Sequence, residues 1–110
     1  MTVKDVAEKL NLKFYSGESL AEKTADGCYI GDLLSLAMSK VQADYVWITI
    51  QTNVNIVAVA ALADAGCIIV ADGCVPDEKT VERAAEQDII ILGSDKSAYE
   101  LAVKLAEMGI

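Results

Sequence analysis

Three polar turns interrupt the apolar second half of this chain: Gln51-Thr52-Asn53, Asp72-Gly73 and Ser94-Asp95-Lys96. Amide, hydroxyl and ammonium groups donate hydrogen bonds to oxyanions. Gln51, Thr52, Asn53, Asp72, Gly73, Ser94 and Lys96 are therefore the candidate ligand-binding residues, for a small phosphate- or carboxylate-bearing metabolite. Each turn leads into a helical pattern, and a helix N-terminus offers free amides and a favourable dipole to an anion. Asp72, Asp77 and Asp95 oppose that charge, and Lys96 is the one base among the candidates. The same residue types also serve plain structure. Asn53, Asp77 and Ser97 suit helix caps, and Gly73 and Gly93 suit turns.

Catalytic constellations are scarce. The chain contains no histidine, so neither a Ser–His nor a Cys–His pair exists. There is no G-x-x-x-x-G-K-[ST] loop and no G-x-G-x-x-G. A small enzyme acting on a phosphorylated or carboxylated metabolite would have to rely on Asp32, Asp72 and Lys96. Asp77, Glu78, Glu82 and Glu86 share one helical segment and read as a solvated face. Cys28, Cys67 and Cys74 form no C-x-x-C pair, and a structural zinc site wants four Cys or His ligands. The expectation is no metal and no cofactor, with the cysteines as small buried residues. Cys28 and Cys74, in expected turns, are the pair to watch for an adapter that binds a metal or iron–sulfur centre between chains.

The elements that must position these residues follow from periodicity. Val3, Val6, Ala7 and Leu10 make one face of a helix over residues 2–10, with Thr2 and Asp5 as a capping box and Asn11 as a left-handed end. Residues 12–31 hold one or two short strands joined by turns. Leu33, Leu34, Ala37, Met38 and Val41 share a helical face, with Asp32 as the expected cap. From residue 44 the pattern is regular. Strands at 45–50, 67–71 and 89–92 alternate with helices at 53–65, 77–87 and 97–108, the first helix ended by Gly66 and the last opened by Ser97 and Glu100. Continuous apolar strands alternating with helices predict an α/β fold of three layers, a mostly parallel sheet with helices on both faces. The three polar turns then lie at the carboxyl ends of the strands, where open parallel sheets bind ligands.

The 110 residues make one domain, 1–110, with no linker or low-complexity tract. A net charge of −8 argues against nucleic acid and against an anionic membrane surface. The apolar run Ile56 to Ala63 is too short to span a bilayer, and the N-terminal segment has no apolar signal core, so the expected location is cytoplasmic. The helix "NIVAVAALADAG" is apolar on nearly every side and needs cover on every side. A second copy of the chain is the expected cover, which makes a homodimer; packing against the 33–41 helix is the alternative.

The stretch "EKTADGCYIGDLLSLAMSKVQADYVWITIQTNVNIVAVAALADAGCIIVADG" resembles a DRTGG domain, and the likeness extends over nearly all of the chain. "GDLLS", "VWITIQTNVNIVAVA" and the segment Ile68–Glu78 are its most specific pieces. Glu22-Lys23 stands where the family has Asp-Arg, and Gly27-Cys28 where it has a glycine pair. A lysine cannot reproduce a bidentate arginine contact. The resemblance implies a fold similar to the N-terminal domain of HPr kinase and of the Mur ligases. It implies a regulatory, ligand-sensing module, of a kind found beside CBS domains in some inorganic pyrophosphatases and in some phosphate acetyltransferases. Stand-alone copies occur in anaerobic bacteria, sometimes beside iron-only hydrogenase genes, and tend to be dimeric. The missing phosphate-binding loop argues against kinase activity and for a non-enzymatic protein whose partner is a small anionic metabolite or another protein.

Overall fold

The computed structural model describes all residues, Met1–Ile110. Helix α1 (Val3–Leu10) opens the chain with the expected capping box. The Thr2 side chain accepts from Asp5 N, and the Asp5 carboxylate accepts from Thr2 N at 2.9 Å. Hydrogen bonding from the Thr2 backbone N–H, and then from its side chain, holds the Asp5 carboxyl below its ordinary range. Asn11 ends the helix at φ 53°, the left-handed conformation that Asn tolerates.

Strand β1 (Lys13–Ser16), a 3-10 turn (Glu18–Leu20) and strand β2 (Cys28–Ile30) follow. Next come α2 (Leu34–Lys40), β3 (Val46–Thr49), α3 (Asn55–Ala63), β4 (Cys67–Val70), α4 (Glu78–Glu86), β5 (Ile91–Gly93) and α5 (Ala98–Glu107). The five strands form one sheet in the order β1-β5-β4-β3-β2. Every neighbouring pair is parallel except β1–β5. The three-layer α/β architecture read from the apolar runs is the one observed.

Both faces of the sheet are covered, so strand side chains alternate between two apolar layers. Val46, Ile48, Cys67, Ile69, Ile90 and Leu92 point to the layer closed by α1 and α5. Trp47, Ile68, Val70 and Ile91 point to the layer closed by α2, α3 and α4. Each of these strand residues is almost fully buried. At about 25 cal/mol per Å² of apolar surface, this double-sided burial is the main stabilising term.

From β2 to β5 the chain advances one strand at a time in one direction. That is why α2, α3 and α4 share a face. The parallel part of the sheet therefore never reverses its strand order. It has no internal crevice of the kind that a reversal opens. The reversal of direction comes at the edge, where β1 runs antiparallel beside β5.

Several local expectations shift. Asp32 does not cap α2. The N-cap is Leu33, without a side-chain bond, and the carboxylate is turned to β3. Asn53 does not cap α3 either. Its Oδ1 accepts from Asn55 N at 2.9 Å while Val54 occupies the N-cap. Asp77 is the N-cap of α4 by backbone geometry only. Asp64, at φ 55°, ends α3, and Gly66 serves the approach of backbones instead. Ser97 and Glu100 form their capping box as expected.

Helix α3 is the middle one of its layer, flanked by α2 and α4. Ile56, Val57, Val59 and Ala60 are buried, and these neighbours cover much of its apolar circumference. Exposed apolar side chains remain at α2 and α3, with Leu33 66% exposed, Leu36 44% and Leu62 74%. No helix is long and apolar enough to cross a membrane.

Candidate functional site

The carboxyl ends of β2, β3, β4 and β5 lie on one edge because these strands are parallel. The seven sequence candidates all reach that edge, but in two groups. One group closes the end of β3. Asp32, just beyond β2, accepts from Thr49 Oγ1 at 2.8 Å and from Ile50 N at 2.9 Å through the same Oδ1. Gln51 donates from Nε2 to the Asp32 carbonyl at 2.9 Å and accepts from Asn53 Nδ2 at 2.9 Å. Gln51 N donates to Thr49 Oγ1 at 3.1 Å. The Thr52 carbonyl accepts from Asp77 N and from the buried Thr80 hydroxyl. The polar side chains of Gln51 and Asn53 are thus bonded to one another and to the chain. They build a turn and leave few free donors.

The second group joins the ends of β4 and β5. Asp72 and Gly73 are both left-handed, at φ 58° and 70°. Two such residues in succession reverse the chain, and a glycine makes the second one inexpensive. The turn brings Asp72 N to the Lys96 carbonyl and Gly73 N to the Ser94 carbonyl, each at 2.9 Å. Ser94 Oγ accepts from Lys96 N at 3.0 Å.

Gly73, Ser94 and Lys96 line a cavity of about 370 Å³ on the β1 side of this group. Lys13, Tyr15 and Asn11 close its other wall. These three were missed by the sequence reading. Lys13 arrives because it pairs with Gly93 across the antiparallel β1–β5 ladder. A Cβ at Gly93 would stand 2.4 Å from Tyr15 Cε2, so any larger residue there displaces the Tyr15 ring. Gln51, Thr52, Asn53 and Asp72 do not line this cavity.

The groups an enzyme would need are held apart. Asp32 lies beyond β2 and Lys96 beyond β5, three strand spacings or roughly 14 Å across the sheet. Asp72 and Lys96 are adjacent, but the contact runs through backbone atoms.

Cys28 and Cys74 are also held apart. Cys28 opens β2 and was expected in a turn; its side chain packs on the α1–α5 side. Cys74 packs on the opposite face. Burial pushes the Cys28 thiol up to about 11 and the Cys67 thiol up to about 12. A thiol that resists ionisation is a poor nucleophile and a poor metal ligand at neutral pH. No three His, Cys, Asp or Glu side chains converge as a metal site.

The segment that resembles the DRTGG motif does structural work. Lys23 Nζ donates to the Ala65 carbonyl at 3.2 Å, tying this segment to the corner between α3 and β4.

A scan against protein-family models finds no match, and a search of curated proteins finds no similar sequence. Among solved structures, the chain is similar to the CBS and DRTGG domains of the regulatory region of Clostridium perfringens pyrophosphatase, complexed with the activator diadenosine tetraphosphate. The TM-score is 0.77 at 10% sequence identity, covering 94% of this chain and 45% of that one. The chain thus spans about half the length of that protein's chain, and at this identity the likeness is one of fold. The fold is of the CBS/DRTGG α/β kind.

Proposed function

We propose that this chain is a non-enzymatic regulatory module that senses a small anionic metabolite at the carboxyl edge of its sheet. The observation that carries the reading is the cavity beside β4 and β5, which contains Gly73, Ser94 and Lys96. The structural neighbour is a regulatory region crystallised with an anionic activator, which agrees with this reading. Gln51, Thr52, Asn53 and Asp72 belong to the same edge and transmit occupancy through their turns.

The output is a homodimer in which the exposed α2–α3 side chains of Leu33, Leu36 and Leu62 face their copies. A ligand that orders the strand-end turns shifts the population of dimer geometries, by the difference in its affinity for them. The finer expectations rest on the family resemblance: a stand-alone domain of the DRTGG kind, kinship to the HPr kinase N-terminal domain, a cytoplasmic location and a link to anaerobic energy metabolism beside hydrogenases.

Native mass spectrometry of protein purified without denaturation tests this function. A metabolite of defined mass that travels with the dimer supports it. A substrate turned over in a panel, with loss in both Asp72→Asn and Lys96→Met, replaces it with an enzyme. The separation of Asp32 from Lys96 argues against that outcome. The placement of Cys28 and Cys74 on opposite faces argues against a metal adapter built on that pair.

A further inference from the structure

We propose that the cavity between β1 and β5 takes a small hydroxylated monophosphate, clamped by Lys13 and Lys96, and does not take a nucleotide. The proposal rests on the ligand-sensing reading above and specifies its ligand.

Charge is the first argument. The one ion pair in the chain is Arg83–Glu86, at 3.4 Å on the far surface of α4. Eight of the nine basic residues, Lys13 and Lys96 among them, have no carboxylate partner, and these two line the same cavity. The Lys13 ammonium is instead held 4.8 Å from the Tyr15 ring centroid. That contact orders the ammonium without neutralising it. Two free cations on one small cavity match the two charges of a phosphate monoester. They do not match a triphosphate, because the net charge of −8 and the rim carboxylate of Asp95 repel the surplus.

The lining supplies the second argument. Of its ten residues only Tyr15, Cys74 and Val75 are apolar. The Tyr15 ring is already committed, to Lys13 and to the α-carbon of Gly93. Tyr15 is the one aromatic residue of the lining, and the Lys13 ammonium competes with any base for its ring. The free hydrogen-bonding groups suit hydroxyls. Ser94 Oγ accepts from Lys96 N while its O–H has no protein acceptor, and the Asn11 side chain makes no hydrogen bond within the chain. The volume of about 370 Å³ stands near the lower end of ligand pockets, which run from about 300 to 1,000 Å³.

The test is a titration of isotope-labelled protein, followed by amide NMR, with glycerol 3-phosphate, inorganic phosphate, AMP and diadenosine tetraphosphate. Glycerol 3-phosphate is expected to shift residues 73–75 and 93–96 and to bind more tightly than the other three. Lys13→Met and Lys96→Met are each expected to weaken it about tenfold, and Lys13→Gln likewise. Lys104→Met, which removes the same charge on α5, is expected to leave affinity unchanged. Raising salt weakens binding in the parent more than in either cavity variant. Equal affinity for inorganic phosphate, tighter binding of either nucleotide, or no effect of Lys13→Met overturns the proposal while the sensing role stands. No shift at these residues with any of the four anions overturns the anion-sensing reading itself.

Discussion

The Asp32 carboxylate accepts the Thr49 hydroxyl at 2.8 Å, joining the end of β2 to the end of β3. Thr49 is 2% exposed, and the same carboxylate oxygen also accepts Ile50 N. Asp32→Ala leaves the buried hydroxyl without its acceptor. The expected cost is about 1–2 kcal/mol in urea unfolding. Asp32→Asn keeps an oxygen at the same position and is expected to lose less than half as much. Equal losses would show that the acceptor is not what stabilises this corner.

Gly66 is needed for space. A Cβ there would stand 2.7 Å from the Thr24 carbonyl oxygen and 2.9 Å from that of Asp44, both backbone atoms that cannot rotate away. Gly66→Ala is expected to destabilise by about 1–3 kcal/mol, as overpacking does. Gly109→Ala meets no neighbouring atom and pays only for a positive φ of 88°. Thermal unfolding of the two variants should rank Gly66→Ala as the worse.

Alkaline pH should destabilise the fold through its thiols. Cys67 moves from 9.0 to about 12 and Cys28 from 9.0 to about 11, both through burial. Below pH 9 the thiols are protonated whether the chain is folded or not, so stability does not change on their account. Above pH 9 the unfolded chain loses these protons and the folded one keeps them, so stability falls as pH rises towards 11–12. Cys67→Ala is expected to flatten that slope in urea titrations between pH 8.5 and 10.5. In thiol labelling at neutral pH, the half-buried Cys74 should react first and Cys67 only on unfolding.

The exposed leucines test the assembly. The parent is expected to sediment as a dimer at tens of micromolar, and Leu36→Glu with Leu62→Glu as a monomer. Both positions are exposed in the single chain, so the fold itself should stay within about 0.5 kcal/mol of the parent. A parent that sediments as a monomer removes the dimer from the proposed function.

The central half of the fold was legible because burial on both faces leaves a simple mark. Val46–Thr49 and Cys67–Val70 are apolar at nearly every position, and the polar turn Gln51-Thr52-Asn53 and Gly66 mark off the apolar helix between them. The capping boxes at Thr2 and Ser97 were legible because both partners lie within one turn. The edges were not. β1 and β2 are three or four residues long and only partly buried, so neither alternation nor an apolar run develops. Asp32 looked like a cap because the helical face beginning at Leu33 follows it, yet Thr49, a partner distant in sequence, holds it instead. Lys13 and Tyr15 gave no local signal, since their place beside Ser94 and Lys96 depends on the β1–β5 pairing. The polar turns themselves were legible from the alternation of strands and helices, although only Gly73, Ser94 and Lys96 of the seven candidates line the cavity.

The pairing of β1 with β5 sets when the cavity comes into being. Lys13 and Gly93 are 80 residues apart in the chain, yet they stand opposite each other. The units from β2 to β4 form contacts with what has just been made, whereas β1 waits for a partner. A nascent chain therefore has no cavity until β5 has left the ribosome. A break anywhere between the two strands leaves each of them without the covalent link that brings its half of the cavity to the other.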